Sequence, residues 1–447
     1  VSAAAVKPPL DAAALWRLAR VGTPSLSPDG RFAVAAVTQP DTARNTLPSA
    51  LWRFPLEGGR APRRLSWCGE KDAAPAVSPR GDLIAFLARR DGPDGPAQIH
   101  LLPADGGEAW ALTAFAPGLQ ALRWAPDGGS LLGVAWLWSQ ARTLAGQTRR
   151  QQAWQARQET GHATSEAFHR WWDHDIPAGR AARLLRVSVG APGARGRLQD
   201  LFAGTALSLP WADPGVQHFA WHPDGTRVAF VHDPLPDKLP DGLHVLSELD
   251  LKTRRVRTLA GTPGWHFGAP AYSPCGRFLA CTAAERGRVH TAPDRPALVT
   301  LEAAPHWRLL TDGHWDFEAD APLVWSADGR ALFFAAEQRG RRPLWRLDLE
   351  DGLCRVVVPG GWVQGFDLRG DADDALIVTS QDSALHPPQL QAHRPGRGVA
   401  PRRLDRFNDR LLAARTVGAV REVQVTGALD QPVQMWLVHP AGFDPRR

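Results

Sequence analysis

A chain of 447 residues is too long for one compact core unless it is built from repeats, which bury apolar surface between neighbouring units. With 44% hydrophobic and 22% charged residues it falls in the globular class, and no run reaches the 18 or more apolar residues of a membrane span or resembles a signal peptide. The net charge of +6 comes from arginines scattered along the chain, with lysine nearly absent, which argues against the massed basic stripe of a nucleic-acid binder.

Residues 10–20 (LDAAALWRLAR) predict a short helix capped by Asp11, with Leu15, Leu18 and Ala19 on one face. A repeated phrase follows: an apolar strand, a Ser-Pro-Asp-Gly-Arg turn and a second apolar strand. It stands at Ser27 (SPDGRFAVAAV), Ser78 (SPRGDLIAFLA), Ala125 (APDGGSLLGVA), His222 (HPDGTRVAFVH), Ser273 (SPCGRFLACTA) and Ser326 (SADGRALFFAA), with a worn copy at Arg369 (RGDADDALIVT). Proline presets φ, the aspartate caps the turn and glycine supplies a positive φ, so two strands fold back as a hairpin. Trp124, Trp221, Tyr272 and Trp325 precede four of the turns, as flat side chains filling a core shared between stacked sheets would.

A second signature, a short alternating strand with a polar turn, follows each first one at Leu51, Ile99, Leu184, Leu246, Leu298, Leu344 and Pro388. Successive first signatures lie 51, 47, 97, 51, 53 and 43 residues apart, and five of these six spacings match a four-stranded propeller blade. The fold expected is all-β, a seven-bladed β-propeller of four-stranded antiparallel blades over residues 23–410, after an N-terminal segment 1–22. A β-sandwich would not repeat the aromatic and turn phrase at fixed period. The long spacing marks an insertion inside the third blade, at about 138–183.

The insertion carries Arg142, Arg149, Arg150 and Arg157 with Trp154 among them. A guanidinium fork pairs with a carboxylate through two parallel hydrogen bonds, so Arg149, Arg150, Arg157 and Trp154 are candidate substrate-binding residues. Solvation of these arginines, or pairing with Glu159 and Glu166, is the competing account. The same segment holds His162, His169, Asp173, His174 and Asp175 at spacings that fit no zinc or calcium pattern, so no metal is expected. HRWWDHD reads as the return to the blade, with Trp171 and Trp172 packed against neighbours. Trp315-Asp316-Phe317-Glu318 reads as an inter-blade loop. Cys68, Cys275, Cys281 and Cys354 show no CxxC spacing, in keeping with thiols of a reducing, cytoplasmic compartment.

Past Arg410 the blade pattern stops. Glu422–Thr426 and Val433–Val438 predict a hairpin of another kind, followed by Pro440-Ala441-Gly442-Phe443-Asp444-Pro445. Blades with Ser-Pro-Asp-Gly turns, a short helical segment before them and EVQVTGALDQPVQMWLVHPAGFDPRR after them resemble the prolyl oligopeptidase family of serine peptidases, its acylaminoacyl-peptidase and exopeptidase branch in particular. The resemblance implies that residues 411–447 are a linker and the first hairpin of an α/β-hydrolase domain. It also implies that the propeller limits entry to short peptides. No Gly-x-Ser-x-Gly and no His-Gly-Gly occurs in the chain, so no catalytic residue is assigned and the chain by itself is expected to be inactive. The end at Arg446-Arg447 fits either a trypsin-like cut in an exposed linker, after which the hydrolase domain would sit against this chain as a separate polypeptide, or an artificial division of a longer chain at that point.

The partners implied are a peptide substrate and that hydrolase domain, with no cofactor, nucleic acid or membrane; homo-oligomer formation stays open. Arginines reading a free C-terminus would make the enzyme carboxypeptidase-like, and an apolar pocket reading a blocked N-terminus would make it an acylaminoacyl-peptidase. The account from another class is a non-catalytic propeller acting as a protein-interaction scaffold.

Overall fold

The computed structural model describes residues 7–67, 71–92, 95–159, 161, 163–165, 169–234, 242–287, 292–311, 315, 317–444 and 446. Cys68, His162, Glu166, Asp316, Pro445 and Arg447, named above, lie outside the described residues. The architecture is all-β with few helices, arranged as a propeller. Among the described residues no helix is long and apolar enough to cross a membrane.

The expected N-terminal helix is a single turn, α1 (Ala12–Leu15), capped by Asp11, whose Oδ1 accepts from the Ala14 amide at 2.7 Å. Leu18 and Ala19 are buried but Leu15 is exposed, because the chain leaves the helix after one turn.

The first nine strands are β1 (Arg20–Val21), β2 (Ser25–Leu26), β3 (Phe32–Thr38), β4 (Ser49–Pro55), β5 (Arg63–Arg64), β6 (Lys71–Val77), β7 (Leu83–Arg89), β8 (Gln98–Pro103) and β9 (Trp110–Ala111). They form one sheet, in which β4 meets β6 through a single parallel pair, Ser49 with Lys71. Five separate four-stranded sheets follow. The first is β10 (Leu122–Trp124), β11 (Ser130–Trp138), β14 (Arg180–Ser188) and β15 (Leu198–Asp200); between its second and third strands lie α2 (Leu144–Gln155) and the small hairpin β12 (Arg170–Trp171) and β13 (His174–Asp175). The next are β16 (Phe219–Trp221), β17 (Arg227–His232), β18 (Val245–Asp250) and β19 (Val256–Ala260), then β20 (Trp265–Tyr272), β21 (Phe278–Glu285), β22 (Arg295–Thr300) and β23 (His306–Leu309). The last two are β24 (Ala319–Trp325), β25 (Ala331–Ala336), β26 (Leu344–Asp348) and β27 (Cys354–Val358), and β28 (Trp362–Arg369), β29 (Leu376–Ser383), β30 (His386–His393) and β31 (Arg402–Arg403). The expected seven separate blades are therefore corrected to five, with the remaining strands fused. The fusion has a local cause: the Ser49 hydroxyl, buried between the two halves, donates to the Asp72 carbonyl at 2.7 Å. A helix α3 (Asp409–Ala413) and the hairpin β32 (Val420–Thr426) and β33 (Pro432–Val438) complete the chain.

The turn chemistry is local and repeats. The turn glycine sits at φ between 68° and 76° at Gly30, Gly81, Gly128, Gly225, Gly276 and Gly329, a region costly for any residue with a Cβ. Asp29, Asp127, Asp224 and Asp328 each accept from the amide two residues on, at 2.8–3.1 Å. The aromatic before the turn stitches sheets together. The indole N–H of Trp124 donates to the Ala76 carbonyl on β6 at 2.9 Å, that of Trp221 to Arg123 on β10 at 3.4 Å and that of Trp325 to Ala271 on β20 at 2.9 Å, each on the preceding sheet. Tyr272 reaches the buried carboxylate of Glu248 instead, at 2.8 Å.

Among the described residues no strand pairing joins residues 20–64 to residues 362–403, so the ring closes without a shared strand. Side chains close it. Asn408, buried, donates to the Ala19 carbonyl and accepts from the Ala19 amide, both at 2.8 Å. Ser380 donates to the Val21 carbonyl, and Asp367 accepts from the Leu26 amide. An apolar cluster of Val21, Leu26, Phe54, Val378, Leu390 and Leu404 lies beneath.

Candidate functional site

In a ring of four-stranded antiparallel sheets, the link between second and third strands and the link from each fourth strand to the next sheet leave from one face. The insertion with α2, the Arg339 loop between β25 and β26, and the Leu385 turn between β29 and β30 therefore share that face.

Helix α2 is capped by Thr143, whose hydroxyl accepts from the Gly146 amide at 3.1 Å. Its sequence, LAGQTRRQQAWQ, has no apolar stripe, and it docks through glutamine instead. The buried Gln147 side chain accepts from the Trp138 amide at 2.7 Å and donates to the Trp138 and Ala141 carbonyls at 2.9 and 2.7 Å. This brings the Trp154 ring to 5.0 Å from the Trp138 ring. Guanidinium groups surround the pair. Arg157 lies 3.3 Å over Trp154, Arg150 lies 5.1 Å from Trp138, and Arg180 stands 4.2 Å from Trp138 and 5.3 Å from Trp154. Of the residues singled out in the sequence, Arg150, Arg157 and Trp154 come together. Arg149 lies exposed on α2 and takes no part in these ring contacts, and Arg142 lines a separate cavity of about 380 Å³ with Gln147, Asp200 and Arg254. Arg180 and Trp138 were not legible as site residues; they face each other as a register pair of β11 and β14. Burial, and then the Arg157 charge, hold the Arg180 guanidinium below its usual pKa.

Hairpin β12–β13 packs on the loop that precedes β16. The Trp171 indole donates to Asp213 at 3.1 Å and packs on Trp211 at 5.4 Å. The loop from Asp213 onward is tied to β10 through Arg123, which donates to the Val216 carbonyl at 3.0 Å. Trp171 packs as expected, whereas Trp172 meets the edge of Trp171 at 6.2 Å but stands 82% exposed at φ 49°, because the tight turn aims it away from the sheet. Among the described residues no group of three His, Cys, Asp or Glu side chains is placed to hold a metal ion.

An acidic group occupies the same face near β24. The Asp294 amide donates to Glu318 at 3.4 Å, and Asp320 pairs with Arg342 at 2.5 Å. Burial first, then the charges of Glu318 and Asp320, push the Asp294 carboxyl up to about 7, and burial also raises Glu318.

The terminal hairpin is fixed to this face by an Arg339–Glu422 ion pair at 2.5 Å, a Trp436 indole bond to the Arg339 carbonyl at 3.0 Å, and Arg341 lying 4.5 Å over the Trp436 ring. A cavity of about 510 Å³ opens beneath it, walled by Trp362, Trp436, Arg341, Leu385 and Asp382. The opposite side of the hairpin turns Val425, Val433, Met435 and Leu437 outward, all more than a third exposed.

No family model matches the chain. Dipeptidyl-peptidase 5 of Porphyromonas gingivalis is 23% identical over 435 residues, which cover 96% of this chain and 60% of that relative. Over nearly its whole length the chain is thus similar to a dipeptidyl-peptidase 5. Acylaminoacyl peptidase of Pyrococcus horikoshii superposes with a TM-score of 0.68 at 14% identity, covering 95% of this chain and 58% of that one. The β-propeller domain of the trilobed protease of Pyrococcus furiosus gives 0.57 at 12% identity, covering 88% of this chain and 97% of that domain. The chain thus spans about 60% of the length of the curated relative it matches along its whole course.

Proposed function

We propose that this chain is the substrate-gating propeller of a peptide-hydrolysing enzyme, with the chemistry supplied by an α/β-hydrolase domain seated on the face that carries β32–β33. The observation that carries this reading is the hairpin. One side is fixed to the ring through Trp436 and Glu422, while the other presents exposed Val425, Val433, Met435 and Leu437, a surface a lone propeller has no use for. In this reading residues 1–22 are an N-terminal segment, 23–410 the propeller and 411–447 the linker and first hairpin of the hydrolase domain. A cytoplasmic, serine-type exopeptidase acting on short peptides is the finer form of the proposal. Arg149, Arg150, Arg157 and Trp154 of the insertion are its substrate contacts, and the 447-residue chain alone is inactive.

A second reading, an enzyme that reads a free amino terminus, is favoured by the carboxylates of Asp294, Glu318 and Asp320 on the same face, which suit an ammonium group. The scaffold alternative is separated by one experiment on the polypeptide encoded by the complete reading frame. Changing Met435→Asp together with Leu437→Asp should expose a buried contact, loosen the propeller from the rest of the polypeptide in limited proteolysis and lower peptide hydrolysis. Unchanged proteolysis and no hydrolysis before or after the change would leave the scaffold.

A further inference from the structure

Three guanidinium groups gathered on two indoles form an unusual electrostatic arrangement. Among the described residues no carboxylate forms an ion pair with Arg150, Arg157 or Arg180. Two buried donors are also left over: among the described residues the Nε of Arg180 and the indole Nε1 of Trp138, a side chain only 5% exposed, find no hydrogen-bond acceptor. A buried donor without a partner is costly, and like charges brought together add to the cost. Stacking on an indole occupies the face of a guanidinium and leaves its N–H edge for an acceptor in the plane. The corner is rigid before any ligand arrives, since Gln147 holds α2 to both backbone groups of Trp138 and the β11–β14 register fixes Trp138 opposite Arg180.

We propose that Trp138, Arg150, Arg157 and Arg180 form a preorganised oxyanion site that takes the terminal carboxylate of a peptide. The two carboxylate oxygens would accept from the exposed guanidinium edges of Arg150 and Arg157, with the half-buried Arg180 charge and the Trp138 ring behind them. The assignment rests on the peptidase reading for its ligand, because the corner lies on the face where a substrate would be held. It then decides which end of the peptide is read: the free C-terminus. Inorganic phosphate shares the same chemistry and is the competing source of the anion.

Calorimetric titration of the 447-residue protein with N-acetyl-trialanine acid, N-acetyl-trialanine amide and inorganic phosphate tests this. The acid should bind at least about tenfold more tightly than the amide, and Arg157→Gln, an exposed change that spares the fold, should weaken the acid by about tenfold. Arg180→Gln should do the same where circular dichroism shows it folded. Equal binding of acid and amide, or an acid affinity untouched by Arg157→Gln, overturns the site. Phosphate binding tighter than the acid and equally sensitive to Arg157→Gln overturns the peptide assignment. Acid-selective, Arg157-dependent binding together with no hydrolysis by the full reading-frame product would keep the anion site and remove the peptidase reading instead.

Discussion

Replacing Trp325 by phenylalanine tests whether the repeated aromatic holds neighbouring sheets together. The change keeps an aromatic ring but removes the indole N–H that meets the Ala271 carbonyl at 2.9 Å on the preceding sheet. Trp325 is only 8% exposed, so water cannot replace the bond. An orphaned buried acceptor costs about 1–3 kcal/mol, and the cavity left by the smaller ring adds about 1 kcal/mol. At about 2.1 cal/mol/K per residue the unfolding entropy of the chain is about 0.9 kcal/mol/K, so the melting temperature should fall by about 2–4 °C. Scanning calorimetry of Trp325→Phe, with the half-exposed Trp16→Phe as control, reads this directly. Hydrogen exchange should also rise around Ala271. Equal melting temperatures for the two variants would show that the indole bond does not hold the sheets.

Asn408→Ala leaves both backbone groups of Ala19 buried without a partner, so exchange of the Ala19 amide should rise sharply and stability fall by about 2–4 kcal/mol; unchanged exchange would mean the ring is closed elsewhere. Cys275 occupies the turn position held by aspartate in other repeats, and the Ser273 hydroxyl followed by the Arg277 amide bring its thiol down to about 7. Burial pushes Cys281 up to about 12. Iodoacetamide should therefore label Cys275 with a rate midpoint near pH 7 and reach Cys281 only on unfolding, as peptide mass mapping would show; similar rates at both would contradict the turn account. Asp294 is raised in the folded state, so the native protein binds more protons than the unfolded chain between about pH 4 and 7, and stability is lost as pH rises through that window. Asp294→Asn should accordingly stabilise the protein at pH 8 and not at pH 4; a gain equal at both values would remove the titration from the explanation.

The elements legible in the sequence are those whose chemistry is local. A glycine at positive φ and an aspartate accepting from the amide two residues on are properties of five consecutive residues, so the repeated hairpins could be read directly. The aromatic position was legible as core, but its hydrogen bond was not, because the acceptor lies 48 residues upstream for Trp124 and 54 for Trp325. Ser49 meeting Lys71 depends on one parallel pair between two sheets, and no periodicity encodes it. The insertion was visible from spacing, yet α2 was not, since a helix docked by Gln147 carries no apolar stripe. Arg150, Arg157 and Trp154 were found from residue type alone. Trp138 and Arg180, which turn them into a closed corner, belong to strands that meet only in the folded sheet.

In the proposed function this propeller limits the access of peptides to a hydrolase domain. The most direct measurement is cleavage of a short peptide, and of the same sequence held within a stable folded protein, by the polypeptide of the complete reading frame beside the 447-residue chain. The full polypeptide should cleave the short peptide and spare the folded one, and the chain alone should cleave neither. Cleavage of the folded protein at a comparable rate would contradict gating, and an inactive full polypeptide would contradict the enzyme itself.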